Sequence, residues 1–336
     1  MKETVLVTGG AGYVGSLLVP RLLREGYRVR VLDMYLYGDE ALEGARGNPN
    51  LEEVRGDIRD RDLLRRALAG CDVVIHLACI SNDPSFELNP ALGKTINLDA
   101  FEPLVQEAVH AGVQRFIFAS SASVYGVKDV ENVTEDMPLE PLTDYSKYKA
   151  MCEGILARYQ SPDFTTVTLR PATICGYAPR QRLDVVVNIL TNHAYHHRKI
   201  NVFGGEQKRP NLHIADMVDA YMLMLTAPAN RIAGKVYNVG GENHTVHELA
   251  EIVRGVVGDD VTMETVPTDD PRSYHISSAK IAAELGFRPS RSIADAAHGL
   301  VEAFEKGLLP NAMTDARYFN IKRMQELNLQ PTAQAA

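Results

Sequence analysis

From the N-terminus to about residue 171, the sequence alternates between short runs rich in β-branched residues and longer stretches with helical periodicity. This alternation is typical of a parallel sheet that is covered by helices on both faces. Val5–Val7 and Val73–Ile75 are apolar at every position, as expected for strands buried on both faces. The predicted strands are Thr4–Thr8, Tyr27–Asp33, Leu51–Asp57, Asp72–Ala78, Arg115–Ser121 and Phe164–Pro171. The pattern therefore predicts an α/β fold built on a doubly wound parallel sheet.

The second half of the chain follows a looser pattern. Proline and glycine interrupt it at Cys175–Pro179, Gly204–Pro210 and Pro267–Pro271. Because 336 residues are too many for one small core, we expect a sheet domain over residues 1–171 and a smaller mixed α/β lobe over 172–336. The strand-like run Val236–Gly241 is expected to return to the first sheet.

Composition excludes several classes of partner. The net charge is -8, the pI is near 5.7, and the 35 Lys and Arg residues are scattered, which argues against a nucleic-acid or anionic-membrane partner. No stretch approaches the roughly 18 apolar residues of a membrane span, and the N-terminus lacks the pattern of a secretory leader. The four cysteines form no C-x-x-C pair, so we expect a reducing, cytoplasmic location.

His193 and His197 have the i, i+4 spacing of a helical metal site. No Asp, Glu or Cys follows nearby to complete such a site, and Arg198 and Lys199 come directly after it. We therefore predict no metal site and assign this cationic cluster to the C-terminus of a helix.

The first predicted strand runs directly into the turn Gly9-Gly10-Ala11-Gly12-Tyr13-Val14-Gly15, which a helical pattern follows. Glycines in such a turn allow backbone N–H groups to approach a pyrophosphate and allow the helix to pack closely on the strand. Asp33 ends the second strand, 18 residues beyond Gly15, near the spacing of about 20 for an acid that binds the adenosine ribose. A carboxylate there repels a 2′-phosphate. The sequence thus predicts a Rossmann-type domain that binds NAD rather than NADP.

The spacing of these glycines resembles that of the extended short-chain dehydrogenase/reductase family, which includes nucleotide-sugar epimerases and dehydratases. Further matches are His76-Leu77-Ala78, Asn97 and Leu169-Arg170-Pro171, so the resemblance covers nearly the whole chain. Asp57 could reach the adenine or could serve only in a turn. The cofactor-binding residues that the resemblance implies are Gly9, Gly12, Tyr13, Val14, Gly15, Asp33, Asp57, Ile58, Leu77, Ala78, Asn97, Tyr145, Lys149 and Pro171.

Tyr145 and Lys149 stand four residues apart in a helical pattern, which places both side chains on one face. A tyrosine with a pKa near 10 is a poor base at neutral pH, but a nearby ammonium group favours its phenolate. Tyr145 could then take a proton from a sugar hydroxyl while hydride leaves the same carbon. Ser121 matches the active-site Ser or Thr of the family, which orients the reacting oxygen. We expect Ser121, Tyr145 and Lys149 to be catalytic.

The residues after Ser121 narrow the reaction. Dehydratases of the family carry Asp-Glu at these two positions, whereas this chain has Ala122 and Ser123. Neither side chain can act as a carboxylic acid, so the pattern is more similar to that of the 4-epimerases.

The family resemblance also implies contacts to a nucleotide diphosphate and its sugar. The residues expected to bind this substrate are Ser81, Ser123, Asn188, Arg209 and Arg272. Two guanidinium groups suit a pyrophosphate, because each forms paired, charge-assisted hydrogen bonds. Arg180 and Arg182 precede Asn188 and belong either to this site or to a solvated surface.

These observations predict an NAD-dependent epimerase of nucleotide-diphosphate sugars that acts at C4. Alternatives are a 4-dehydrogenase or reductase, an isomerase or mutase that rearranges the sugar ring, and a non-catalytic NAD-binding regulatory protein. The resemblance also implies a homodimer formed through helices around Pro90–Ala111 and Tyr145–Tyr159.

Overall fold

The structure is a computed structural model that describes residues 2–81, 83–128, 130, 132–268, 273 and 275–331. The strands are β1 (Thr4–Thr8), β2 (Arg28–Asp33), β3 (Leu51–Arg55), β4 (Val73–His76), β5 (Arg115–Ala119), β6 (Thr165–Pro171), β7 (Thr173–Cys175), β8 (Lys199–Phe203), β9 (Lys208–His213), β10 (Lys235–Val239), β11 (Glu242–Thr245) and β12 (Thr262–Val266). The α-helices are α1 (Gly15–Arg24), α2 (Arg61–Leu68), α3 (Asp83–Glu87), α4 (Pro90–Lys94), α5 (Phe101–His110), α6 (Asp144–Ala157), α7 (Val186–His197), α8 (Ile214–Thr226), α9 (Ala229–Ile232), α10 (Val246–Val257), α11 (Ala279–Leu285), α12 (Ile293–Glu305) and α13 (Asn320–Leu327). Across the described ranges, no helix combines the length and the hydrophobicity that crossing a membrane requires.

Seven parallel strands form the central sheet in the order β10-β6-β5-β4-β1-β2-β3. All five residues of β1 are buried, as the apolar run predicts. The chain order reverses between β1 and β4, so the loops that leave these two strands diverge to opposite sides. Such a switch point opens a crevice at the carboxyl ends of the strands. The predicted α/β fold with a doubly wound parallel sheet is confirmed.

Several strands end earlier than the sequence predicts. β4 ends at His76 rather than Ala78, and β5 ends at Ala119 rather than Ser121. The residues that follow these strands leave the hydrogen-bonded ladder and turn over the crevice, which the hydrophobic pattern alone does not reveal. β10 lies beside β6 at the sheet edge, with Tyr237 opposite Leu169.

Two small sheets and the helices α7, α10 and α12 pack together into the unit that we call the second lobe. Its sheets have the orders β11-β9-β7 and β12-β8, and α7, α10 and α12 pack against one another. Val187, Ile200, Leu249 and Ala296 are fully buried in the core of this lobe. This core is separate from the two cores that flank the large sheet.

The segment from α13 to Pro331 returns to the first lobe. Met324 and Leu329 are buried in the core beside α2 and α5. Arg323 Nε donates a hydrogen bond of 2.6 Å to the carbonyl of Leu36, and Arg59 Nη1 donates one of 2.7 Å to the carbonyl of Pro331. Helix α13 therefore ties the two lobes together at one end of the crevice.

The helix expected over Pro90–Ala111 is divided into α4, a π-helical turn at Thr95–Asp99 and α5. The turn brings Asn97 inward, where its side chain accepts a hydrogen bond from the Ile80 N–H and donates one to the Ile80 carbonyl. The expected dimer stays a prediction.

Candidate active site

A cavity of about 350 Å³ lies at the carboxyl ends of the sheet strands, between the two lobes. The first lobe contributes the glycine turn and the loops after β2 to β5, and the second lobe contributes the segment after β6. The predicted site residues that line it are Gly9, Gly12, Tyr13, Val14, Gly15, Asp33, Asp57, Ile58, Leu77, Ala78, Ser81, Ser121, Ser123, Tyr145, Lys149 and Pro171. The fold thus brings residues from both halves of the chain to one cleft.

The glycine turn is shaped to accept phosphate oxygens. Gly9 has a φ of +74°, and a Cβ on it would lie 2.6 Å from the backbone nitrogen of Ala78. Among the residues that the structure describes, the N–H groups of Tyr13, Val14 and Gly15 have no acceptor. These donors lie at the N-terminus of α1, where the helix dipole favours an anion. The turn therefore fits the pyrophosphate of a dinucleotide.

Asp33 is fixed in place at the end of β2. Its two carboxylate oxygens accept hydrogen bonds from the N–H groups of Tyr35 at 2.7 Å and Ala11 at 2.9 Å. Burial raises the pKa of this carboxyl group, and these two hydrogen bonds oppose the shift. A carboxylate held rigidly here suits ribose hydroxyl groups and disfavours a 2′-phosphate.

Asp57 has a protein partner that the sequence did not suggest. Arg59 donates to its carboxylate from Nη2 at 2.6 Å and from Nε at 2.9 Å, and both side chains are more than nine-tenths buried. Arg59 also donates a hydrogen bond to the carbonyl of Pro331, after α13. The pair therefore links the loop after β3 to the segment after α13.

Ser121, Tyr145 and Lys149 line the same part of the cleft wall. The Ser121 side chain caps a 3₁₀ turn at Ala122–Tyr125, and its Oγ lies 2.9 Å from Ser123 Oγ. Lys149 Nζ donates a hydrogen bond of 2.7 Å to the carbonyl of Ala119 and lies 5.9 Å from the centre of the Tyr145 ring. A fixed ammonium beside a phenol and a serine hydroxyl can support proton transfer at a substrate oxygen.

The Thr143 side chain caps α6, the helix that carries Tyr145 and Lys149. Thr143 Oγ1 accepts from the N–H of Ser146, and Ser146 Oγ accepts from the N–H of Thr143. This capping box fixes where α6 begins. It therefore fixes the position of Tyr145 in the first turn, facing the cleft.

His76 ends β4, close enough to Lys149 for the ammonium charge to act on it. It belongs to the His76-Leu77-Ala78 motif, which is part of the family resemblance in the sequence. Its imidazole shares a hydrogen bond of 2.7 Å with Thr8 Oγ1 and stacks on Phe118, and the Lys149 ammonium lies 5.0 Å from the centre of the Phe118 ring. Burial lowers the pKa of His76 to about 3, and the charge of Lys149 adds to the shift. His76 is therefore neutral in the folded protein at any pH near neutrality.

This neutral histidine should make stability depend on pH. In the unfolded chain His76 binds a proton below a pKa of 6.5, whereas the folded protein resists protonation down to about pH 3. Stability is thus fully present above pH 6.5 and is lost as the pH falls, with a limiting slope of about 1.4 kcal/mol per pH unit. In urea unfolding between pH 8 and pH 5, the advantage of the wild type over His76→Gln should shrink below pH 6.5. A pH-independent difference would contradict this prediction.

Three predicted residues are not on the wall of the cleft. Asn97 supports the loop after β4, as described above. Asn188 is completely buried; its Oδ1 accepts from the Gly176 N–H at 2.9 Å, and its Nδ2 donates to the Arg182 carbonyl at 2.7 Å. Arg209 lies on β9, opposite His244 of β11. Arg272 lies outside the described residues.

Asn188 also reaches the glycine turn. Its Nδ2 is 3.0 Å from the hydroxyl of Tyr13, which donates a hydrogen bond of 2.5 Å to the Gly176 carbonyl. Burial raises the pKa of Tyr13. The structure therefore gives Asn188 a part in holding the lobes together behind the cleft.

Sequence reasoning left the role of two arginines open and missed a third residue. Arg180 and Arg182 both line the cleft. Asn320, the first residue of α13, links Arg180 to Ser81. Its Oδ1 accepts a hydrogen bond of 2.7 Å from Arg180 Nη2, and its Nδ2 donates one of 2.9 Å to Ser81 Oγ. Its backbone N–H donates to Asp184, the ion-pair partner of Arg182. Nothing in the local sequence around Asn320 signals this position.

The histidines of α7 lie near one another in the C-terminal half of that helix. His193 and His197 have ring centres 5.9 Å apart. In the part of the chain that the structure describes, no three His, Cys, Asp or Glu side chains are grouped to hold a metal ion. Burial lowers the pKa values of His193 and His196, so these two rings carry less charge than the sequence suggested.

Comparison with known proteins agrees with this geometry. The model of the NAD dependent epimerase/dehydratase family matches residues 5–240. A UDP-glucose 4-epimerase of Lactobacillus helveticus is 31% identical over 314 residues, which cover 87% of this chain and 93% of that enzyme.

Solved structures of two enzymes are also similar. A dTDP-glucose 4,6-dehydratase from Streptomyces venezuelae with NAD bound has a TM-score of 0.82 and 30% identity, covering 90% of this chain and 97% of that one. The UDP-glucuronic acid 4-epimerase from Bacillus cereus, in complex with UDP-glucuronic acid and NAD, has a TM-score of 0.81 and 26% identity, covering 90% and 99%. The predicted family and its NAD cofactor are thereby confirmed. The chain belongs to the NAD-dependent epimerase/dehydratase family.

Proposed function

We propose that this enzyme is a nucleotide-diphosphate-sugar epimerase that inverts the configuration at C4. The observation that carries the proposal is the absence of an acid beside Ser121. Among the described residues that line the cleft, the only carboxylates are Asp33, the last residue of β2, and Asp57, which follows β3, both on the cofactor side. A dehydratase needs an acid and a base at the sugar to eliminate water.

The two residues after Ser121 point in different directions. Ala122 is buried in the core beside the sheet, whereas Ser123 lines the cleft and contacts Ser121. The side chain that faces the sugar at this point is therefore a neutral hydroxyl. Ser121 and Ser123 together offer hydrogen bonds that orient a sugar oxygen.

The roles of the catalytic residues follow from their places. Tyr145 takes the proton of the sugar hydroxyl, Lys149 stabilises the phenolate, and Ser121 holds the reacting oxygen. The glycine turn and Asp33 would hold NAD in the cleft, where it would supply the reversible hydride acceptor that inversion at this carbon requires. Tyr145 then gives the proton back to the sugar oxygen, and the cleft is restored to its starting state.

The relatives of this chain include both 4-epimerases and 4,6-dehydratases, so the sugar reaction needs a direct test. Proton NMR of the enzyme with UDP-, dTDP-, GDP- and CDP-sugars should show a new epimer with its C6 protons retained and without accumulation of NADH absorbance. Tyr145→Phe, assayed in parallel, is the matched inactive control.

Each other outcome of this test identifies another function. A new C6 methyl doublet would show dehydration, and stoichiometric NADH with a ketone would show a 4-dehydrogenase. A product with a different ring size would show an isomerase or mutase. No reaction across the panel would favour a non-catalytic NAD-binding protein.

A further inference from the structure

Arg180 projects from the second lobe into the cleft and is held there firmly. The residue is only 6% exposed. Its Nη2 donates a hydrogen bond of 2.7 Å to Asn320 Oδ1, and its guanidinium lies over the ring of Tyr37, 3.7 Å from the ring centre. Two neutral groups from distant parts of the chain therefore fix the guanidinium plane.

The described residues leave part of the hydrogen-bonding capacity of this buried cation unused. Its Nε is buried and has no hydrogen-bond partner among the described residues. The contacts of its guanidinium in the described chain include no ion pair with a carboxylate. Burial lowers the pKa of Arg180. A buried charge without a partner is costly, so a cation with an unused donor at a cleft wall is suited to an anionic ligand.

The surroundings of Arg180 belong to the cofactor end of the cleft. Its backbone N–H donates to Ser16 Oγ at 3.3 Å, in the first turn of α1. Tyr37 follows β2 and Asp33, and Asp33 is close enough to Arg180 to act on its charge. The glycine turn lines the same cavity, and three of its N–H groups have no acceptor in the described part of the chain. Arg182, by contrast, is already paired with Asp184 at 2.7 Å.

We propose that Arg180 is a ligand of the NAD diphosphate, contributed by the second lobe opposite the glycine turn. The diphosphate then lies between the N-terminus of α1 and a guanidinium that is anchored by Asn320 and Tyr37. Binding of the cofactor joins the two lobes, because one anion is shared by donors from both. A diphosphate also occurs in a nucleotide sugar, and the location of Arg180 beside Ser16 and Tyr37 assigns it to the cofactor. The assignment holds whichever sugar reaction the enzyme performs.

Equilibrium binding to the NAD-depleted full-length protein tests this assignment. Arg180→Gln should weaken binding of NAD and of ADP at least about 10-fold, on the scale of a lost charge-assisted hydrogen bond. Binding of adenosine, and of UDP to the NAD-loaded protein, should stay within about 2-fold of the wild type. Arg198→Gln is the matched control, because Arg198 pairs with Asp260 on the surface of the second lobe.

Three results would overturn the proposal. Weaker UDP binding with unchanged NAD binding would assign the guanidinium to the sugar nucleotide. An equal loss for adenosine and ADP would show a distorted adenosine site rather than a lost phosphate contact. Unchanged binding of every ligand by a folded variant would leave Arg180 a structural residue only.

A measurement on the unaltered protein covers the case in which Arg180→Gln does not fold. With ¹⁵Nε-labelled arginine, the Nε–H signal that Arg180→Lys removes should shift and exchange more slowly with water when ADP is added. Adenosine should not produce this change. A signal that stays unchanged in saturating ADP would contradict the proposal.

Discussion

Replacing Tyr145 with phenylalanine should reduce turnover at least about 100-fold while leaving NAD bound, since general acid–base help is typically worth this much. The substitution removes only the hydroxyl that is proposed to move the proton. Lys149 keeps its hydrogen bond to the Ala119 carbonyl, and the glycine turn and Asp33 are untouched. Initial rates with the substrate found by NMR, together with the NAD content of the purified variant, provide the measurement.

The same helix offers a matched control. Tyr148 lies outside the residues that line the cleft and packs edge-on against Phe86, with ring centres 5.5 Å apart. Tyr148→Phe should therefore retain nearly full activity. Wild-type turnover in Tyr145→Phe would exclude the proposed proton transfer.

Removing the carboxylate of Glu153 should lower the free energy of unfolding by about 3–5 kcal/mol, the range for breaking one side of a buried ion pair. Glu153 accepts hydrogen bonds from Arg170 Nη2 at 2.6 Å and Nε at 3.0 Å, and both side chains are more than nine-tenths buried. Glu153→Ala leaves the guanidinium without its counter-charge beneath the sheet edge. Urea unfolding of the variant against the wild type measures the loss.

This ion pair also supports the segment that carries Ser121, the serine proposed to orient the reacting oxygen. Ser120, directly before Ser121, donates a hydrogen bond to Glu153, and Arg170 Nη1 lies 2.7 Å from the hydroxyl of Tyr125 at the end of the 3₁₀ turn. We therefore expect the turnover of Glu153→Ala to fall as well. Glu302→Ala, which breaks an exposed pair with Lys306, should leave the free energy of unfolding nearly unchanged. A similarly small effect of Glu153→Ala would show that the buried pair does not stabilise the fold.

Local patterns were sufficient to predict the elements that carry the chemistry. The strand Thr4–Thr8, the turn from Gly9 to Gly15 and the helical spacing of Tyr145 and Lys149 depend on neighbours only a few residues away. The hydrophobic periodicity of strands and helices, the glycine content and a four-residue spacing can be read directly from the sequence. The same local information placed Asp33 at the end of its strand.

The predicted residues off the cleft wall show what such patterns leave open. Asn97 and Asn188 are polar residues that a motif can match, but each uses its amide to hold backbone atoms of another segment. Whether a polar side chain meets a ligand or a buried peptide group depends on which segment packs against it. That choice is made by the tertiary fold, because every buried polar group needs a partner.

The sequence by itself determined the doubly wound sheet, the family, the NAD cofactor and the lack of an acid beside Ser121, since these depend on residue types at short spacings. Only the tertiary structure decided that Ala122 turns into the core while Ser123 faces the cleft, and that Arg180 is buried at the cofactor end. It alone decided that Asn320 joins Ser81 to Arg180. These contacts join residues more than 100 positions apart in the chain, and only the packing of α13 and the second lobe onto the sheet brings them within hydrogen-bonding distance.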